Sequence, residues 1–428
     1  MKNEKRVQSS KVQSSEPRTQ NAEPGTLDGA LVTGAHFGAY LASTKKMNEL
    51  IRREIKNIEP YEPGKPIEKV ERELGIKAVK MASNENALGP SLKAVAALKR
   101  ALGKINLYPD GDAYYLKSRL AEHLRVGKEN IILGNGSDEI IRIITETFLN
   151  EDEEVIFAEP GFIVYRMAAV VMKGKCVPVP LKNYTHDLEA MSQAINERTK
   201  LVFIANPNNP TGTMVNADSV ASFMKRLPEN IVVIFDEAYY EYVDESDFPE
   251  TIDYVKNGRN VITLRTFSKI YGLAGLRIGY GIAGEKFIRE MNRVRQPFNV
   301  NSLAQVAAQA ALEDKEHVRK SCRANSEGKK FFYREFARMK ITYVPSQANF
   351  VLVDVGINAD KATEKLIKEG IIVRSMRMYN LTNFIRVTIG KMEENQRFIA
   401  ALDRVLSTAK IKNQKSKCKM IGEKNFAI

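Results

Sequence analysis

Leu201-Val202-Phe203-Ile204-Ala205 and, one helix-length later, Ile231-Val232-Val233-Ile234-Phe235 are short apolar runs rich in Val and Ile. A run that is apolar on both faces suits a strand covered on both sides, the situation of a parallel sheet between helices. Val155–Ala158, Val261–Leu264 and Leu276–Ile282 repeat the texture, and helical segments such as Ala217–Arg226 separate the runs. Strand and helix therefore alternate through the middle of the chain. Past Pro297 the order changes. Two helical stretches, about 302–312 and 315–338, precede apolar runs at Asn349–Asp354, Ile371–Arg374 and Phe384–Ile389. The expected fold class is α/β, a large domain on a mostly parallel sheet between helices plus a smaller α+β domain.

The ends read differently. Residues 1–30 hold almost no large apolar side chains and cannot offset the entropy of ordering. Residues 1–46 are expected to be a disordered extension. No apolar core follows their basic start, and Glu4, Glu16, Glu23 and Asp28 do not suit a transit peptide. A helical pattern begins at Met47, which could itself be the start of translation, and Pro60 and Pro63 stop it. Residues 47–83 are assigned to the small domain and its sheet, 84–305 to the large domain and 306–407 to the small one. Residues 408–428 form a basic flexible tail.

Composition removes several classes of function. The 428 residues are 43% hydrophobic and 27% charged, with no apolar stretch of the ~18 residues a membrane span needs. Cys176, Cys322 and Cys418 are too scattered for a disulfide framework, and the four histidines never fall at zinc-ligand spacing. No metal is expected. The formal charge of +13 is concentrated at the ends, with +3 on residues 1–46 and +5 on 408–428. The 361 residues between carry +5, so the charge does not indicate a nucleic-acid partner.

Four segments at predicted strand ends could carry chemistry, because side chains gather there in open parallel sheets. Gly134-Asn135-Gly136-Ser137-Asp138 opens an apolar helix, where free N–H groups and the helix dipole favour an anion. The same residues would serve equally as an ordinary helix cap. Asn206-Pro207-Asn208-Asn209-Pro210-Thr211-Gly212 is a stiff, donor-rich turn, which is also what a purely structural turn looks like. Asp236, at the end of an apolar strand, is costly unless a cation meets it, or else it caps the strand. Thr266-Phe267-Ser268-Lys269, followed by Arg277, sets an amine beside hydroxyls and a guanidinium, although most lysines are simply exposed. Together the four describe a Schiff-base cofactor site: an acid, a lysine 33 residues later, an anion cradle and an asparagine turn.

In the order NPNNPTG, DEAY, TFSK and GLAGLR the chain resembles the fold-type I pyridoxal-phosphate aminotransferases. ASNENALGPS, LYPDGDAYYLK, RQPFNVNSLAQ and PSQANF narrow the resemblance to the histidinol-phosphate aminotransferase family, over about residues 47–407. The resemblance implies pyridoxal 5'-phosphate on Lys269, which also moves the substrate's α-proton. It places Asp236 at the pyridine nitrogen, Tyr239 and Asn209 at the ring's phenolic oxygen, and Phe162 against the ring. The phosphate would meet Ser137 and the backbone N–H of Asp138, then Thr266, Ser268 and Arg277. Tyr108 would reach the phosphate in a second copy's site, which implies a homodimer. Arg386 and Arg374 would grip substrate anions, Asn349 would orient Arg386, and Tyr61 and Glu85 would line the pocket. The implied activity is a cytoplasmic exchange of an amino group between L-histidinol phosphate and 2-oxoglutarate, giving imidazole-acetol phosphate and L-glutamate. A phenylalanine or tyrosine aminotransferase stays open on the same scaffold, as does a phospho-amino-acid decarboxylase. An NAD-dependent dehydrogenase would need a glycine fingerprint that the chain lacks.

Overall fold

The apolar runs of the middle region lie side by side in the computed structural model, which describes residues 50–58, 60 and 64–424, with side chains as far as Thr408. Seven of its strands are β2 (Ile131–Gly134), β3 (Glu154–Glu159), β4 (Lys175–Pro180), β5 (Thr199–Ala205), β6 (Val232–Asp236), β7 (Val261–Thr266) and β8 (Gly279–Ala283). They form one sheet in the order β2-β8-β7-β6-β5-β3-β4. Neighbours from β7 to β4 pair in parallel, and β8 runs antiparallel to both β7 and β2.

Successive residues of the central strands bury on opposite faces. Val202, Ile204, Val233 and Phe235 join one apolar cluster, and Leu201, Phe203, Val232 and Ile234 join another. The helix Ser137–Phe148 covers the second face with Ile140, Ile141, Ile143 and Ile144, all essentially fully buried. Two strands of this sheet have no counterpart in the sequence reading. β2 is only four residues long, and β4 (KCVPVP) is an edge strand with two prolines, an arrangement tolerated only where one side of the ladder is open. The run expected to begin at Leu276 is a strand only from Gly279. A 3-10 turn occupies Ala274–Leu276, and Arg277 is in the left-handed region at φ 56°.

The C-terminal block carries β9 (Thr342–Val344), β10 (Phe350–Asp354), β12 (Arg374–Ser375) and β13 (Phe384–Thr388) as an antiparallel sheet in the order β12-β13-β10-β9. Helices Ser302–Leu312 and Lys315–Met339 precede it, within a residue of their expected limits. β1 (Val79–Lys80) pairs in parallel with β11 (Ile371–Ile372) as a separate two-stranded pair, and just beyond it the Met81 carbonyl accepts from the Thr388 N–H at the end of β13. The pattern expected as a helix from Met47 is a single 3-10 turn at Arg53–Asn57 in the described residues. Residues 1–46 and Tyr61 lie outside them. Residues 408–424, expected to be a flexible tail, continue the helix Met392–Lys424. That stretch has no Pro, no Gly before Gly422, and several lysines, which propagate a helix readily.

Candidate active site

The ends of β5, β6 and β7 and the start of the helix Ser137–Phe148 open onto one cavity of about 300 Å³. Ser137, Asp138, Phe162, Asn209, Asp236, Tyr239, Thr266, Ser268, Lys269, Arg277, Arg374, Arg386 and Glu85 all line it. Residues singled out across 300 positions of sequence therefore meet at the carboxyl edge of the parallel strands, where this sheet topology leaves a crevice.

Asp236 is the last residue of β6 and is only 5% exposed. Its Oδ2 accepts a 2.7 Å hydrogen bond from the Tyr165 hydroxyl, and its Oδ1 is buried with no hydrogen-bond partner among the described residues. Burial pushes its carboxyl up to about 6, and the nearby Asp138 charge adds to this against the Tyr165 hydrogen bond. Tyr165 is itself fixed by stacking on Phe203, with ring centroids 4.6 Å apart. Phe162 meets Tyr165 edge-on at 5.6 Å.

Lys269 follows the end of β7. Its Nζ lies 3.5 Å from the Ser83 carbonyl oxygen and 5.7 Å from the centre of the Tyr239 ring. Tyr239 is buried, and its hydroxyl accepts a 2.9 Å hydrogen bond from Asn84 Nδ2. Beside the lysine, the Ser268 N–H donates to Thr266 Oγ1 at 3.0 Å, which ties the turn to the strand end.

The anion cradle is built around Gly136, whose φ of 82° suits glycine. A Cβ at that position would lie 2.6 Å from Arg277 Nη2, so the missing side chain is what admits the guanidinium. Arg277 Nη2 is 3.3 Å from Asp138 Oδ2, and both side chains are about half exposed. Such a pair is weak and can be exchanged for a stronger anion. The Asp138 carboxylate is thus turned to Arg277, leaving the helix N–H groups to the cavity.

Arg386, in the middle of β13, donates from Nη1 to Asn209 Oδ1 and from Nη2 to the Ala82 carbonyl, while its buried Nε has no hydrogen-bond partner among the described residues. Its guanidinium carbon sits 5.2 Å from the Phe350 ring centre. One expectation changes here. Asn349 does not hold Arg386; its Nδ2 donates to the Asn84 and Glu85 carbonyls, because β10 carries it toward the 84–85 turn. Asn209 lines the same cavity with its Oδ1 accepting from Arg386, and its Nδ2 is the atom that could donate to a phenolic oxygen. Glu85 faces the cavity and pairs with Lys80 at 2.6 Å. Tyr108 does not line the cavity. It is 83% exposed and stacks on Phe298 at 4.8 Å. Tyr61 falls outside the described residues.

Tyr165 and Asn84 are the residues that sequence reasoning missed. Tyr165 stands three residues after Phe162, a helical spacing that could have marked it as the second aromatic facing the strand ends. Asn84 gave a fainter signal as one of the two asparagines of the ASNEN turn.

The family described as Aminotransferase class I and II matches residues 76–402. Histidinol-phosphate aminotransferase of Moorella thermoacetica is 52% identical over 358 residues, 83% of this chain and 93% of that protein. The histidinol-phosphate aminotransferase of Caldicellulosiruptor saccharolyticus is 49% identical over 358 residues, 83% of this chain and 100% of that protein. Among solved structures, histidinol-phosphate aminotransferase from Sinorhizobium meliloti in complex with pyridoxal-5'-phosphate has a TM-score of 0.77 at 29% identity, covering 84% of this chain and 98% of that one. Aspartate aminotransferase from Thermus thermophilus with maleate, at 22% identity and a TM-score of 0.72, shares the fold. Every residue that lines the cavity lies within the matched stretch, and the chain belongs to the class I and II aminotransferases, in the histidinol-phosphate aminotransferase family.

Proposed function

We propose that this protein exchanges an amino group reversibly between L-histidinol phosphate and 2-oxoglutarate, giving imidazole-acetol phosphate and L-glutamate, with pyridoxal 5'-phosphate held on Lys269. The observation that carries the reading is one cavity that joins a lysine, a buried acid with an unpartnered oxygen, an anion cradle and two arginines. The residues fit the cofactor. Asp236 Oδ1 has no donor among the described residues, in a place that penalises its charge, which a protonated ring nitrogen would relieve. Gly136 keeps Arg277 beside a helix start, where a phosphate is favoured.

When bound, the cofactor supplies a ring that accepts the electrons released at the substrate's α-carbon. Tyr165 holds one Asp236 oxygen, which leaves the other to meet the ring nitrogen, where the carboxylate would keep a proton. Lys269 Nζ would accept the proton that leaves the substrate's α-carbon and would deliver it to the cofactor carbon on the other side of the shared nitrogen. Thr266, Ser268 and the helix N–H groups would orient the phosphate with Arg277. Arg386 grips the substrate anion. Its planar fork suits a carboxylate of glutamate in one half-reaction and the phosphate of histidinol phosphate in the other, with Arg374 at the same end of the cavity.

A homodimer belongs to this reading. Ile105, Leu107, Tyr108 and Tyr115 are each at least 60% exposed, a density of large apolar side chains that suits contact with a second copy. No helix among the described residues is long and apolar enough to cross a membrane, and we place the reaction in the cytoplasm with its small polar substrates.

Steady-state comparison of histidinol phosphate with phenylalanine and tyrosine as amino donors tests the substrate. The phosphate grip should give histidinol phosphate the higher kcat/KM by at least about tenfold, the worth of one charge-assisted hydrogen bond. Equal or reversed values would assign the protein to the aromatic amino acids.

A further inference from the structure

We infer that Thr388 and Asn84 are positioning residues that fix the Tyr239 hydroxyl as a hydrogen-bond donor toward the cofactor. This rests on the proposed placement of pyridoxal phosphate in the cavity.

The direction of the relay follows from which groups can only donate. The Asn84 backbone N–H has no accepting capacity, and it points at Thr388 Oγ1 at 2.9 Å. Thr388 Oγ1 therefore accepts that bond, and its own proton is left for Asn84 Oδ1 at 3.2 Å. Were the amide turned over, its NH₂ would donate to the second lone pair of Thr388 Oγ1 and the threonine proton would lose this acceptor. The arrangement that satisfies both groups keeps Oδ1 on the threonine. Asn84 Nδ2 is consequently the atom that meets Tyr239, at 2.9 Å. An NH₂ donates, so the Tyr239 oxygen accepts, and the phenolic proton is directed to an acceptor other than Asn84.

The surroundings hold this arrangement in place. Asn84 is 1% exposed, sits at φ 56° and has its carbonyl bound by Asn349 Nδ2 at 3.0 Å. Asparagine is among the few residues that adopt the left-handed region readily. Thr388 is 5% exposed, and its N–H donates to the Met81 carbonyl at 2.8 Å. Thr388 lies two positions from Arg386 on β13, so the two side chains leave the same face of one strand. The strand that carries the substrate's arginine also sets the polarity of the tyrosine, although neither Thr388 nor its hydroxyl lines the cavity.

A donor aimed at the phenolic oxygen draws negative charge from it and weakens its hold on the proton shared with the lysine nitrogen. The pH at which the bound cofactor's absorbance titrates should then depend on Thr388. Thr388→Val removes both the acceptor and the donor while keeping the shape, and should raise that titration by about half to one pH unit, the worth of one ordinary hydrogen bond. Thr388→Ser should restore the original value. Tyr239→Phe should raise it at least as far, and adding Thr388→Val to it should change nothing more, because the threonine acts only through the tyrosine.

Asn84→Asp supplies a second route should Thr388→Val fail to load the cofactor. It places an acceptor against Tyr239, reverses the hydroxyl and should also raise the titration. An unshifted titration in the loaded Thr388→Val protein would overturn the inference. So would full additivity with Tyr239→Phe, or an unshifted Asn84→Asp protein. If Tyr239→Phe itself leaves the titration where it was, the placement of the cofactor fails, and with it the reading on which this inference stands.

Discussion

Asp236 shows how a single residue can be read correctly for type and place while its environment stays hidden. An acid at the end of an apolar run announces itself in sequence. The hydroxyl that holds it comes from Tyr165, 71 positions away, and no local pattern links the two. Asn84 and Tyr239 are likewise 155 positions apart. The environment has a measurable consequence. In the cofactor-free protein Asp236 takes up its proton near pH 6, above the usual 3.8, so folding favours the protonated form. That stability is present in full below about pH 4 and is lost as the pH rises through about 6. Asp236→Asn has no charge to bury. Its unfolding free energy relative to wild type should improve between pH 4 and 7.5 by on the order of 2–3 kcal/mol, measured by denaturant titration without cofactor. Parallel pH profiles for the two proteins would contradict the burial of this charge.

Elements whose burial is uniform were the legible ones. β5, β6 and β7 are covered on both faces and show it as unbroken apolar runs, whereas β4 lies at the sheet edge with a mixed pattern and two prolines. The reversal of β8 was not legible either, since strand direction depends on the connection and not on composition. Asn349 was misassigned for a related reason: its motif marks the strand, but the strand's register decides which turn it reaches. At the start of the helix Ser137–Phe148 the glycine signal can be tested. Gly136→Ala would set a methyl 2.6 Å from Arg277 Nη2 and displace it. Affinity for pyridoxal phosphate should fall by about tenfold or more, the worth of a charge-assisted hydrogen bond. Gly275→Ala, where a Cβ would meet nothing within 4 Å, should leave it unchanged. Equal affinities for all three proteins would remove Arg277 from the phosphate site.

At the scale of the whole molecule, the alternation of strands and helices was enough to give the α/β class, and the meeting of distant motifs in one cavity was beyond any local signal. Tyr108 is the residue that a single chain leaves without a role: exposed, aromatic and outside its own cavity. If it completes the site of a second copy, subunits with different defects should complement. Mixing Tyr108→Ala protein with Lys269→Ala protein in equal amounts, with exchange of subunits, should place both defects in one site of each mixed dimer and leave the other intact. About a quarter of wild-type activity should then return, against little for either parent alone. Activity no higher than the average of the parents would mean that each chain forms its site unaided.

The central claim is that Lys269 carries the cofactor in this cavity. Borohydride reduction of the protein loaded with pyridoxal phosphate, followed by proteolysis and mass spectrometry, examines that bond directly. One cofactor-derived mass should appear, on the peptide that contains Thr266-Phe267-Ser268-Lys269, and substrate added before reduction should diminish it. A label on another lysine, or none at all, would contradict the site described here.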